Sequence, residues 1–263
     1  MARKAGWRTG GLVVGLLGGA VLGRGMPLVS ARSPARLVPG VRGEYIKYAS
    51  GTDSITAYIV YPSRAEPAPA VLVIHDSLGM SDFLRDAAWR LAVNGYVALA
   101  PDLMSRRGGT PASPDSARQL IASLNRDTIT QDLDAAVTYL QGRKPVQGAS
   151  IVVMGFSWGG GESFRYATHN QSLRAFVVCY GAEPAVADLK RIRAPGYGVY
   201  AERDTRSKDM MNLDFAMHHA KVRYRFKVYR NTEHAFMRTG STSKATTQAW
   251  SDVFAFLDGS LRY

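Results

Sequence analysis

A single cysteine in 263 residues excludes an internal disulfide, and with it the disulfide-stapled secreted folds. It also leaves too few thiolates for a zinc cluster. That residue, Cys179, lies inside the apolar run from Ala175 to Tyr180, the setting of a small buried hydrophobe rather than of a reactive thiol. Repeats at a fixed period and acidic or glutamine-rich tracts are missing too, which sets aside solenoids and low-complexity chains. Acidic residues are the scarcer charge: 21 Asp and Glu against 33 Lys and Arg give a formal charge of +12. Such a balance suits nucleic acid, an anionic envelope surface or an acidic small substrate. The basic residues are scattered between hydrophobic segments, with no recognised nucleic-acid motif, so nucleic acid is not expected as a partner.

The 46% of hydrophobic residues suffice to bury the core of one larger α/β domain. Residues 1–31 read as an export signal. Arg3, Lys4 and Arg8 make a basic start, Gly10 to Gly23 an apolar stretch, and Val29, Ser30 and Ala31 a small-residue cleavage site. That stretch falls short of the roughly 20 residues a bilayer core needs. A removed signal with no remaining membrane span is therefore expected, giving a periplasmic or extracellular protein, envelope-associated if the signal is kept. Residues 32–43, with Pro34 and Pro39, read as a linker, and the catalytic domain is expected over 44–263.

From Glu44 the pattern alternates. Glu44 to Tyr48 and Ile55 to Tyr61, joined by Ser50, Gly51, Thr52 and Asp53, predict a hairpin. Short apolar runs follow at Ala70 to Ile74, Tyr96 to Ala100, Ile151 to Met154, Ala175 to Cys179, Gly196 to Tyr200 and Tyr224 to Tyr229. Between them lie helical patterns at Ser81 to Asn94, Ala117 to Leu124, Gln131 to Leu140, Lys208 to Ala220 and Lys244 to Leu257. The alternation predicts an α/β fold, a mostly parallel central sheet with helices on both faces. In such folds ligands bind beyond the carboxyl ends of the strands.

That rule filters the polar residues. Gly155, Phe156, Ser157, Trp158 and Gly159 form a G-x-S-x-G turn between a strand and a helix, the layout of a nucleophile elbow. Of five histidines, only His75 and His234 directly follow a predicted strand. Asp204, after the strand ending at Tyr200, completes the chain order Ser157, Asp204, His234 of an α/β-hydrolase triad. Glu202 competes for the acid's role. His234 is expected to take the serine proton, and the acid to fix its tautomer. The amides of Trp158 and Ser77 are the expected oxyanion donors. This chemistry needs neither metal nor organic cofactor.

Together with Val73 to Met80, Gly95 to Leu103, Tyr180 with Gly181, and Glu233 to Phe236, these residues resemble the dienelactone hydrolase family of the α/β-hydrolase superfamily. The resemblance covers about Glu44 to Leu257. It implies an α/β-hydrolase fold and hydrolysis of a carboxylic ester or lactone, a small-molecule substrate. It places the nucleophile on Ser157, the acid on Asp204, the base on His234, and the oxyanion donors on Ser77 and Trp158. Arg106 and Arg238 fall where the family grips a substrate carboxylate, and Asp76 where it carries a glutamate beside its nucleophile. The family's type enzyme uses a cysteine in place of Ser157, so ordinary ester hydrolysis is favoured over the dienelactone itself. An acyltransferase with the same triad and a ligand-binding, non-catalytic relative are the alternatives.

Overall fold

The computed structural model describes residues 39–239 and 242–261. The expected export segment, 1–31, and the linker up to residue 38 lie outside them. The predicted hairpin is present as β1 (Arg42–Ser50) and β2 (Asp53–Tyr61), paired antiparallel from Arg42 opposite Tyr61 to Ser50 opposite Asp53. The sheet thus begins at Arg42, inside the expected linker. There follow β3 (Ala68–Ile74), α1 (Asp82–Val93), β4 (Val97–Pro101), α2 (Pro114–Ala122), α3 (Arg126–Gln141) and β5 (Val146–Phe156). The second half holds α4 (Trp158–His169), β6 (Ala175–Cys179), α5 (Val186–Leu189), β7 (Gly196–Ala201), α6 (Met210–His219), β8 (Tyr224–Tyr229), α7 (Phe236–Thr239) and α8 (Lys244–Leu261).

The helices begin where side chains can take the orphan amides of a first turn. Ser81 accepts from the Leu84 amide, and Asn125 from those of Asp127 and Thr128. The eight strands form one sheet in the order β1-β2-β4-β3-β5-β6-β7-β8. β2 runs antiparallel to both its neighbours, and from β4 to β8 all pairing is parallel. Alternate residues of the central strands feed two cores, one on each face. Leu72, Ile74, Val153 and Phe176 pack on one side, Val71, Val73, Val152 and Val177 on the other. Each such side chain contributes about 1.5–3 kcal/mol when fully buried. This two-sided burial holds the carboxyl ends of β3, β5, β6, β7 and β8 on one rim, and the loops leaving that rim carry the predicted site.

Candidate active site

Ser157 stands where β5 gives way to α4, with φ 54° and ψ −113°, a backbone that non-glycine residues rarely adopt. Its neighbours explain how the conformation is held. A Cβ on Gly155 would fall on the backbone of Gly159, and one on Gly159 on the carbonyls of Ile74 and His75. Only glycine at both places lets α4 start hard against the sheet. The Ser157 amide donates to the Cys179 carbonyl at 2.9 Å, tying the turn to β6.

Two other loops reach this serine. After β8 the chain turns through Asn231 (φ 55°) and Ala235 (φ 61°) and presents His234, whose Nε2 lies 2.8 Å from Ser157 Oγ. After β7, Asp204 brings Oδ2 to 2.5 Å from His234 Nδ1. With Nδ1–H donating to the carboxylate, Nε2 is left to accept from the serine hydroxyl. The other Asp204 oxygen accepts from the Arg206 amide at 3.1 Å. Burial by itself would raise the Asp204 carboxyl. The hydrogen bonds from His234 and the Arg206 amide, with the charges beside it, outweigh burial and hold it below its ordinary value. Glu202, the competing acid, instead accepts the Asn231 amide at 2.8 Å. Tyr180 packs edge-on to the His234 ring, centroids 5.3 Å apart at 74°.

Ser77, Ser157 and Trp158 line a common hollow of about 570 Å³, walled by Ile121, Leu124 and Ile129. Trp158 opens α4, where an amide has no acceptor within the helix and meets the positive end of the dipole. Its indole stacks on His75 at 5.4 Å and 19°. His75, the other histidine directly after a strand, is wholly buried. Its Nδ1 donates to the Asp76 carbonyl at 2.8 Å and its Nε2 accepts from the Leu103 amide at 3.2 Å. Burial lowers its pKa, so it stays neutral and structural.

Known proteins carry the same arrangement of strands. The model of the dienelactone hydrolase family matches residues 55–261. The chain belongs to the dienelactone hydrolase family. It is thereby an enzyme of the ester- and lactone-hydrolase class. A "Putative carboxymethylenebutenolidase" of Methylorubrum extorquens is 29% identical over 194 residues, 68% of this chain and 66% of that protein. One of Escherichia coli K12, of the same description, is 28% identical over 200 residues, 70% of this chain and 73% of that protein. A solved "Putative Dienelactone Hydrolase" from Klebsiella pneumoniae superposes with a TM-score of 0.77 at 24% identity, covering 85% of this chain and 99% of that one. This last likeness speaks for the α/β-hydrolase fold alone.

The family resemblance also singles out Arg106, Arg238 and Asp76. Arg106 does not reach the hollow. Its guanidinium meets Asp132 (Nη2 to Oδ1 2.8 Å), the Ser50 carbonyl (2.9 Å) and Asp53. A short 3-10 turn over Ser105–Arg107 carries it toward the hairpin and α3, where Ser50, Asp53 and Asp132 hold it away from the elbow. Arg238, on α7, sits with Nε 3.3 Å from Asp76 Oδ2. Asp76 also accepts the Leu78 amide at 2.8 Å, so it organises its own loop. Neither Asp76 nor Arg238 lines the hollow that holds Ser157. Two neighbours of the site were given no role there from the sequence: Tyr180, strained at φ 43° and read only as part of the family pattern, and Arg206. Only its place two residues after Asp204 could have flagged Arg206.

Proposed function

We propose that this enzyme hydrolyses a carboxylic ester or lactone through an acyl-enzyme on Ser157. His234 Nε2 takes the hydroxyl proton as Oγ attacks the carbonyl carbon. The tetrahedral oxyanion is met by the amides of Trp158 and Ser77. The intermediate collapses, His234 returns the proton to the departing alkoxide, and the alcohol leaves. Water then repeats the sequence, His234 taking its proton and returning it to Oγ as the acid departs. Asp204 keeps Nδ1–H fixed and stabilises the transient imidazolium. The observation that carries this reading is the unbroken pair of contacts, 2.8 Å and 2.5 Å, through one imidazole.

The names of the curated relatives favour a lactone or ester. Ser157 in place of the family's cysteine favours ordinary esters. Small chromogenic esters are the direct test: Ser157→Ala should lower kcat by at least about 10³-fold with an unchanged melting curve, and a wild-type rate in that variant contradicts the assignment. Residues 1–31 are proposed as an export signal ahead of one catalytic domain, on the basic start, apolar stretch and Val29-Ser30-Ala31 of the sequence. Among the described residues no helix is long and apolar enough to cross a membrane. Intact mass of the protein recovered from the producing cell should show loss of about the first 31 residues; a full-length mass speaks against cleavage.

A further inference from the structure

A large apolar side chain standing alone in water needs no explanation, whereas several side by side mark a contact surface. Five are exposed among the described residues: Tyr45, Val93, Val186, Met211 and Phe215. Tyr45 lies on β1 and Val93 ends α1, but the other three gather on α5 and α6, which pack against each other. Val186 is 67% exposed, Met211 86% and Phe215 72%. Met211 and Phe215, four residues apart, share one face of α6, while Leu213 and Met217 turn to the core. Val186 and Phe215 line one groove of about 570 Å³, with Ala216 between them and the core.

The charges around this groove point to its occupant. Lys190, Lys221 and His219 line it, and among the described residues no carboxylate does. Nearby, Asp188 is paired with Arg191 at 3.8 Å, Asp209 accepts from Asn212, and Glu183 lines the hollow instead, leaving Asp214 as the exposed acid of α6. Protruding apolar side chains beside lysines, whose stems lie along apolar surface while their ammonium groups reach outward, suit a bilayer carrying negative headgroups. A second copy of the chain suits the face less well. It would bring lysine-lined grooves together with no carboxylate in either lining, between chains of formal charge +12. We infer that the α5–α6 face docks on an anionic lipid bilayer, with Val186, Met211 and Phe215 entering the boundary between headgroups and acyl chains and Lys190 and Lys221 meeting lipid phosphates. The face adjoins the hollow: Ala185 and Asp188 line the hollow, Val186 and Ala187 the groove. Docking thereby brings esters held in the membrane within reach of Ser157. That consequence rests on the hydrolase reading above; the docking itself does not.

The test floats the whole chain with vesicles of phosphatidylcholine, alone or mixed with phosphatidylglycerol. Wild type is compared with Met211→Ser combined with Phe215→Ser, and with Lys190→Gln combined with Lys221→Gln; melting curves and turnover of a soluble ester show each to be folded. Affinity for the anionic vesicles falls at least about 10-fold in the first double variant and at least about 3-fold in the second. Residues 1–31 are common to all of them, so a second readout places the contact on the face. The native Cys179 is wholly buried, so a polarity-sensitive dye on Phe215→Cys labels that position; it shifts to the blue on anionic vesicles. The same dye on Val93→Cys, whose helix packs on the other face of the sheet, does not. Wild type that binds neither vesicle overturns the inference, as does an unshifted dye at position 215 on bound protein. So does a dimer in sedimentation equilibrium that the Met211→Ser and Phe215→Ser pair dissociates, which gives the face to a second copy. Vesicle binding is also measured in Ser157→Ala, where it is kept; binding by a wild type that turns over no ester overturns the hydrolase reading and leaves the docking standing.

Discussion

Two aspartates, Asp132 and Asp204, are almost equally buried, at 1% and 5% exposure, and each faces an arginine. Asp132 is closed on every side. Ser50 donates to it at 2.6 Å and Arg106 through two nitrogens, at 2.8 and 3.1 Å, so that β1, the turn after β4 and α3 are clamped together. Asp204 shares one oxygen with an imidazole that is itself 36% exposed and beside the hollow. The same residue type serves as a rivet where its partners saturate it, and as one end of a proton relay where one partner keeps a face toward substrate. The difference lies in the partner's second contact: Arg106 ends on more protein, whereas His234 ends on Ser157.

That contrast can be broken at either end. The largest effect is expected from Asp204→Asn, which should cut kcat about 10³- to 10⁴-fold at little cost in stability, because an amide favours the wrong tautomer of His234. Steady-state kinetics with a melting curve check it. Arg106→Met should do the reverse. Leaving Asp132 buried without its cation should cost about 3–5 kcal/mol in urea unfolding, with kcat per folded molecule nearly kept. Loss of turnover in folded Arg106→Met protein would return Arg106 to the site.

Smaller effects concern the groups around the relay. His75 has a folded pKa below its ordinary 6.5, so the unfolded chain binds the proton more readily. The stability this contributes is fully present above about pH 6.5 and is lost as the pH falls toward the folded value, by up to about 1.4 kcal/mol per pH unit. Urea midpoints between pH 7.5 and 5.5 should fall for wild type and be flatter for His75→Gln. Glu202→Gln should change kcat/KM by less than about 3-fold, an exposed acid bonded to the amide of a neighbouring loop having little leverage.

The elements were legible where the apolar period was clean. β6 and β8 begin and end at the residues expected, and α1 lies within the expected span, whose end residues Ser81 and Asn94 prove to be its caps. The short helices α5 and α7 were not read, because four residues carry no helical period. Ser157, Asp204 and His234 could be picked out because strand ends converge on one rim of a parallel sheet. The orientation of Arg106 could not, since it depends on Ser50, Asp53 and Asp132, far apart in the chain. Arg206 was hidden for a related reason: its proximity to His234 arises from a fold contact 28 residues apart.

The central claim is that Ser157 is the activated nucleophile. Its most direct test is reaction of the folded enzyme with a fluorophosphonate, followed by intact-mass and peptide mapping. One adduct per chain, on Ser157, lost in Ser157→Ala and slowed at least about 10²-fold in His234→Ala, is the result expected. Labelling at another residue, or none from an enzyme that still turns over esters, would contradict it.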